Sequence, residues 1–74
     1  MKEVVIEINH SKKDINYDVI ENRLIRFDFI NKVQSKPLLK QINIHGVCEN
    51  NHCVLITNAL FQIGYTVNVL NNHF

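Results

Sequence analysis

Charge of one sign is the first thing this chain lacks. Its 74 residues carry eight Lys and Arg against seven Asp and Glu, a net charge of +1. Such a balance makes neither the basic footprint that neutralises phosphates nor the acidic mass that mimics a polyanion, so nucleic acid is set aside as a partner. Long apolar runs are missing too. None approaches the roughly 18 residues of a membrane-spanning helix, and the N-terminus has no signal-peptide pattern. With one Pro, two Gly and no low-complexity segment, the chain does not read as disordered. Gly46 and Gly64 lie too far apart to form a phosphate-cradling loop. Two cysteines in an otherwise unstapled domain fit a reducing, cytoplasmic setting.

What is present is aliphatic and β-branched. Apolar residues make up 46% of the chain, with ten Ile and eight Val, a mix that favours strands over a helical bundle. The length suits one compact domain over residues 1–74, stabilised only marginally by its own core. Eleven Asn, with abundant Ile and Lys, suggest AT-rich coding DNA, as in low-GC bacteria and their phages.

Alternation marks residues 4–8 as a strand, with Val4, Ile6 and Ile8 on one face and Glu3, Val5 and Glu7 on the other. Ser11 or Asp14 then caps a short helix to about residue 22, with Ile15, Val19 and Ile20 inward. Residues 23–30 read as a second strand, because Ile25, Phe27 and Phe29 alternate with Arg26 and Asp28. The competing reading is one helix over residues 14–35, which would leave a β-α-β-α-β chain. Residues 31–37 read as a loop ending in the only proline. A strand follows at about 39–46, with Ile42 and Ile44 inward and Gln41, Asn43 and His45 outward.

Asn50 or Asn51 caps a helix to about residue 63. Its apolar face is Ile56, Ala59, Leu60 and Ile63, its polar face Asn51, Asn58 and Gln62. Gly64 is a natural stop, and residues 66–69 alternate as a last strand. The order β-α-β-β-α-β is the ferredoxin-like arrangement, an α+β fold with one antiparallel sheet and both helices on one face. The uncovered face would carry Glu3, Val5, Glu7, Arg26, Asp28, Gln41, Asn43, His45 and Asn68, a mostly polar surface suited to solvent or a partner.

Both cysteines and two of the four histidines fall within nine residues, from His45 to Cys53. Free Cys is among the most buried residue types, and Cys53 lies near the apolar face of its helix, so an ordinary packing role is open. A second reading is a soft-metal or thiol-redox site of Cys48, His52 and Cys53. Thiolate and imidazole are the ligands of Cu(I) and Zn(II), and a helix N-terminus lowers thiol pKa. Closed zinc sites draw ligands from two separated pairs. A remote ligand would have to come from His10 or His73, whereas a two-coordinate Cys–Cys site needs none.

The run Gly46-Val47-Cys48 followed by Asn51-His52-Cys53-Val54 resembles the Gly-Met-Thr-Cys-Asn-His-Cys-Val motif of heavy-metal-associated domains such as copper chaperones. The likeness extends loosely through Ala59-Leu60 and Gly64-Tyr65-Thr66-Val67. It implies a ferredoxin-like fold of this size with Cys48 and Cys53 as metal ligands. The family carries its motif after the first strand with two residues between the cysteines; here four separate them, after the third. Residues 46–70 are also similar to isochorismatase-like cysteine hydrolases, which would make Cys53 a nucleophile. The aspartate and lysine that complete that family's catalytic unit have no counterpart, and a nucleophile without its base is not an enzyme.

The leading expectation is a small, non-catalytic protein-interaction or regulatory module without a cofactor, such as a phage- or plasmid-type inhibitor of a bacterial protein. Soft-metal binding at Cys48, His52 and Cys53 is the alternative. Contacts to a protein partner would come from Arg26, Asp28, Gln41, Asn43 and His45 on the open face. A homodimer through an edge strand, around 24–30 or 66–70, is a further candidate. Val54 and Phe61, seven apart on the second helix, form an exposed apolar patch or pack under residues 31–37.

Overall fold

The computed structural model describes residues 3–11 and 14–73. Its first strand, β1 (Glu3–Ser11), follows the alternation: Val4, Ile6 and Ile8 are buried, whereas Glu3, Val5 and Glu7 are only partly covered. Helix α1 (Tyr17–Leu24) starts at Asn16, whose Oδ1 accepts the Val19 N–H at 3.2 Å. The cap therefore lies downstream of the expected Ser11 or Asp14. Ile20 and Leu24, four residues apart, form the buried stripe.

Residues 23–30 are not a strand. The helix runs on to Leu24, because Leu24 is the next buried position after Ile20 in a 3.6-residue period. Two turns follow, in which the Phe27 N–H donates to the Leu24 carbonyl and the Ile30 N–H to the Phe27 carbonyl, each at 3.1 Å. The alternation of Phe27 and Phe29 comes from these turns, which bring the two rings together with centroids 5.2 Å apart. A helix over residues 14–35 is excluded by the same turns. Strand β2 is Lys32–Lys36, in the stretch expected to be a loop. Only Val33 and Ser35 turn toward the helices, so an edge strand here needs little apolar signal.

A 3-10 turn at Pro37–Leu39 leads into β3 (Gln41–His45), with Ile42 and Ile44 fully buried. Helix α2 (Asn50–Gln62) buries Ile56, Ala59 and Leu60 and exposes Asn51, Asn58 and Gln62, as expected. Its cap position is Glu49 rather than Asn50 or Asn51, with no side-chain hydrogen bond. Strand β4 (Tyr65–His73) closes the sheet in the order β2-β3-β1-β4, antiparallel throughout. Both helices cover one face, so the fold is the ferredoxin-like α+β arrangement. Tyr65 is buried, and its hydroxyl accepts the Asn16 N–H at 3.1 Å, joining the start of β4 to the cap of α1.

Register sets the open face. Gln41, Asn43 and His45 lie opposite Glu7, Val5 and Glu3 of β1, and opposite Lys36, Gln34 and Lys32 of β2. Asn68 lies opposite Glu7. Arg26 and Asp28 are not on this face, because their segment turns off the end of α1 instead of entering the sheet. The edges are β2 and β4, so the expected edge at 24–30 moves to Lys32–Lys36.

Candidate soft-metal and thiol site

The thiol segment is shaped by Gly46 and anchored by Val47. Gly46 has φ +108°, and a Cβ there would collide with the Phe29 carbonyl. Only glycine suits both the left-handed backbone and that close approach. The Asn31 N–H donates to the His45 carbonyl at 2.8 Å and fixes the crossing of the two segments. Val47 is fully buried, which leaves Cys48 beside it exposed.

Cys48 is held by its backbone. Its N–H donates to His52 Nδ1 at 3.1 Å, and its thiol lies 3.3 Å from the Gly46 carbonyl. An acceptor Nδ1 puts the ring hydrogen of neutral His52 on Nε2, which faces Glu49 Oε1 at 3.7 Å. The imidazole stacks face to face on Phe29, with centroids 3.8 Å apart and planes 2° from parallel. Phe29 stacks in turn on Phe27, and the Arg23 guanidinium lies 5.9 Å from the Phe27 ring centroid. His52 is thus a clamp between the thiol segment and the turns after α1.

Cys53 is half-buried against the core from the first turns of α2, and burial pushes its thiol pKa up. Desolvation here works against the lowering expected at a helix N-terminus. Both cysteines are free thiols. Among the described residues, no three His, Cys, Asp or Glu side chains converge as a metal-binding group. Cys48, His52 and Cys53 share one segment without forming a three-donor site, because His52 directs Nδ1 at a backbone amide. The side chains of His10 and His73 lie outside the described residues.

On the open face, Glu3 Oε2 lies 3.1 Å from His45 Nε2 and accepts the Asn43 amide at 3.3 Å. Asn43 Oδ1 is buried without a partner among the described residues. Of the five expected partner-contacting residues, Gln41, Asn43 and His45 are together here; Arg26 and Asp28 are exposed in the turns. Val54 and Phe61 are exposed, at 55% and 69%, and do not pack under residues 31–37. Sequence reasoning missed Phe29 as the partner of His52. Its alternation with Phe27 resembled a strand, and no local signal ties it to a residue 23 positions on.

No protein-family model matches the chain, and no curated protein sequence matches it. Solved structures do. The yeast copper transporter domain Ccc2a, studied in apo and Cu(I)-loaded states, superimposes with a TM-score of 0.81 at 12% identity, over 99% of this chain and 100% of that one. The chain shares the fold of that domain. The N-terminal domain of ZntA in its Zn(II) form gives 0.77 at 14% identity, over 99% and 97%. Oxidised MerP from Ralstonia metallidurans CH34 gives 0.72 at 12%, over 93% and 96%. The resemblance to heavy-metal-associated domains thus extends to the whole ferredoxin-like fold. The resemblance to cysteine hydrolases finds no support, since four antiparallel strands and two helices are not their larger α/β architecture.

Proposed function

We propose that this domain is a non-catalytic binder of a soft metal ion, Cu(I) foremost, through the thiolates of Cys48 and Cys53. The observation that carries this reading is a pair of free thiols on one loop-and-helix junction, within a fold shared with a Cu(I)-loaded transporter domain and a Zn(II)-form domain. The donor chemistry fits. Two thiolates suffice for Cu(I), while a closed tetrahedral zinc site needs two more donors than this segment offers. His52 serves as a clamp on the Cys48 backbone and not as a ligand. Cys53 must lose its proton on binding, so affinity rises with pH. Free thiols of this kind suit a reducing compartment, in keeping with a cytoplasmic setting.

The test is Cu(I) titration of the reduced, untagged protein against a chromophoric Cu(I) chelator, read with native mass spectrometry. Stoichiometric Cu(I) withheld from the chelator, and lost in the Cys48→Ser/Cys53→Ser variant, is the expected result. Equal retention by wild type and variant would sink the reading.

A protein-interaction role rests on its own observation, the polar open face organised by Glu3, where Asn43 Oδ1 has no partner among the described residues. The Ccc2a domain is itself described in an Atx1–Cu(I)–Ccc2a complex, a structure this chain matches with a TM-score of 0.69 at 10% identity, over 99% of this chain and 100% of that one. A docking partner for metal transfer would unite the two roles. The expected phage- or plasmid-type inhibitor has no counterpart in the site or in the comparisons.

A further inference from the structure

The eight Lys and Arg and the seven Asp and Glu all lie at or before Glu49. Residues 50–74 contain none. In the fold this charge-free third is α2 and β4, two elements that pack on each other. Among the described residues β4 is an edge strand with β1 as its one sheet neighbour, so within them its outer row of backbone N–H and C=O groups is open to another strand. Edges are ordinarily guarded by short length, charge or proline. The opposite edge obeys: β2 has five residues, a lysine at each end and Pro37 directly after it. β4 has nine residues and no Lys, Arg, Asp, Glu, Gly or Pro. Its pairing with β1 shifts register twice: at Leu70, left over between the Ile6–Val69 and Val5–Asn71 pairs, and at Asn9 of β1, left over between the Ile8–Val67 and His10–Thr66 pairs. Residues 65–69 of β4 themselves contain no extra residue.

We propose that β4 is the surface through which a second copy of this chain docks, β4 against β4, antiparallel about a two-fold axis, giving a continuous eight-stranded sheet. The occupant follows from the chemistry of the edge. The unpaired row calls for a strand, and an uncharged strand offers a charged foreign partner nothing to complement. Against itself it is compatible, because a two-fold contact sets like residues near like and β4 has no charges to repel. An axis at Val67 places Thr66 opposite Asn68 of the second copy, two uncharged polar side chains. Val69 and Leu70, at 37% and 48% exposure, gain cover in the same contact.

Sedimentation equilibrium of the full, reduced, metal-free chain from roughly micromolar to millimolar concentration tests this. The expected result is a dimer. Thr66→Lys with Asn68→Lys sets like charges across the axis and weakens it roughly tenfold or more. Mixing that variant with Thr66→Glu/Asn68→Glu restores a heterodimer, which also shows that both variants fold. Gln34→Lys, on the other edge, leaves the dimer intact. A wild-type monomer throughout overturns the proposal and leaves β4 to a strand of a different protein. A dimer indifferent to the lysine pair, or broken by Gln34→Lys, overturns it as well. The thiols are untouched in every variant, so these outcomes are independent of the metal reading.

Discussion

Cys53 titrates above its ordinary value of 9.0 because folding removes its thiol from water. As pH rises, the unfolded chain therefore loses this proton first. The stability linked to Cys53 is complete below about pH 9 and declines as pH climbs from there through the folded value. Cys53→Ser should remove that part of the slope, as read by urea unfolding across the alkaline window. Equal slopes in the two proteins would assign the decline to another group. The grouping of Cys48, His52 and Cys53 was legible because they are neighbours in sequence. Their division of labour was not: one thiol is exposed, one is half-buried, and the imidazole is committed to a backbone N–H. That division depends on Phe29 and on the core beneath Cys53, both contributed by distant segments.

Among the elements, β1, β3, α2 and β4 were readable because each buries one face, and burial writes a period of 2 or 3.6 into the sequence. The region from α1 to β2 was not. Two turns imitate strand alternation at Phe27 and Phe29, while the real strand, Lys32–Lys36, turns one apolar side chain inward. The connectors carry a contrast that can be measured. Gly46 and Gly64 both have positive φ, +108° and +98°, but a Cβ meets the Phe29 carbonyl at the first and nothing within 4 Å at the second. Gly64→Ala should cost about 1 kcal/mol, the conformational term alone. Gly46→Ala should cost about 3 kcal/mol or more, since the crossing with residues 29–31 must also move. Similar losses for the two in thermal or urea unfolding would mean that the Phe29 crossing is easily displaced.

The whole molecule rests on one aliphatic layer between sheet and helices, with Ile6, Ile42 and Ile44 of the central strands meeting Ile20, Leu24, Ile56 and Leu60. A domain this small has roughly 5 kcal/mol of net stability to lose. Ile44→Ala opens a cavity in the middle of that layer and should cost about 3 kcal/mol, leaving about 2 kcal/mol and a few per cent of the population unfolded. Leu38→Ser, at a fully exposed position in the turn between β2 and β3, should leave stability unchanged within about 0.5 kcal/mol. Chemical denaturation of both variants checks the pair. A large loss at Leu38 would show that this side chain is covered in solution, by a second copy or by another partner.

By itself the sequence determined the fold class: α+β, β-α-β-β-α-β in order, with a β-branched core and its thiols on one junction. Those features are local, carried by alternation, helical period and neighbouring residues. Tertiary structure decided which strand lies at which edge, which polar residues share the open face, and how the thiols differ. Arg26 and Asp28 left that face and Lys32, Gln34 and Lys36 entered it, because the end of α1 is set by packing of Leu24 into the core and not by the alternation that follows it. Cys48 and Cys53 have the same composition and the same neighbourhood in the chain. Only burial, which no short window of sequence contains, makes one an open thiol and the other a desolvated one.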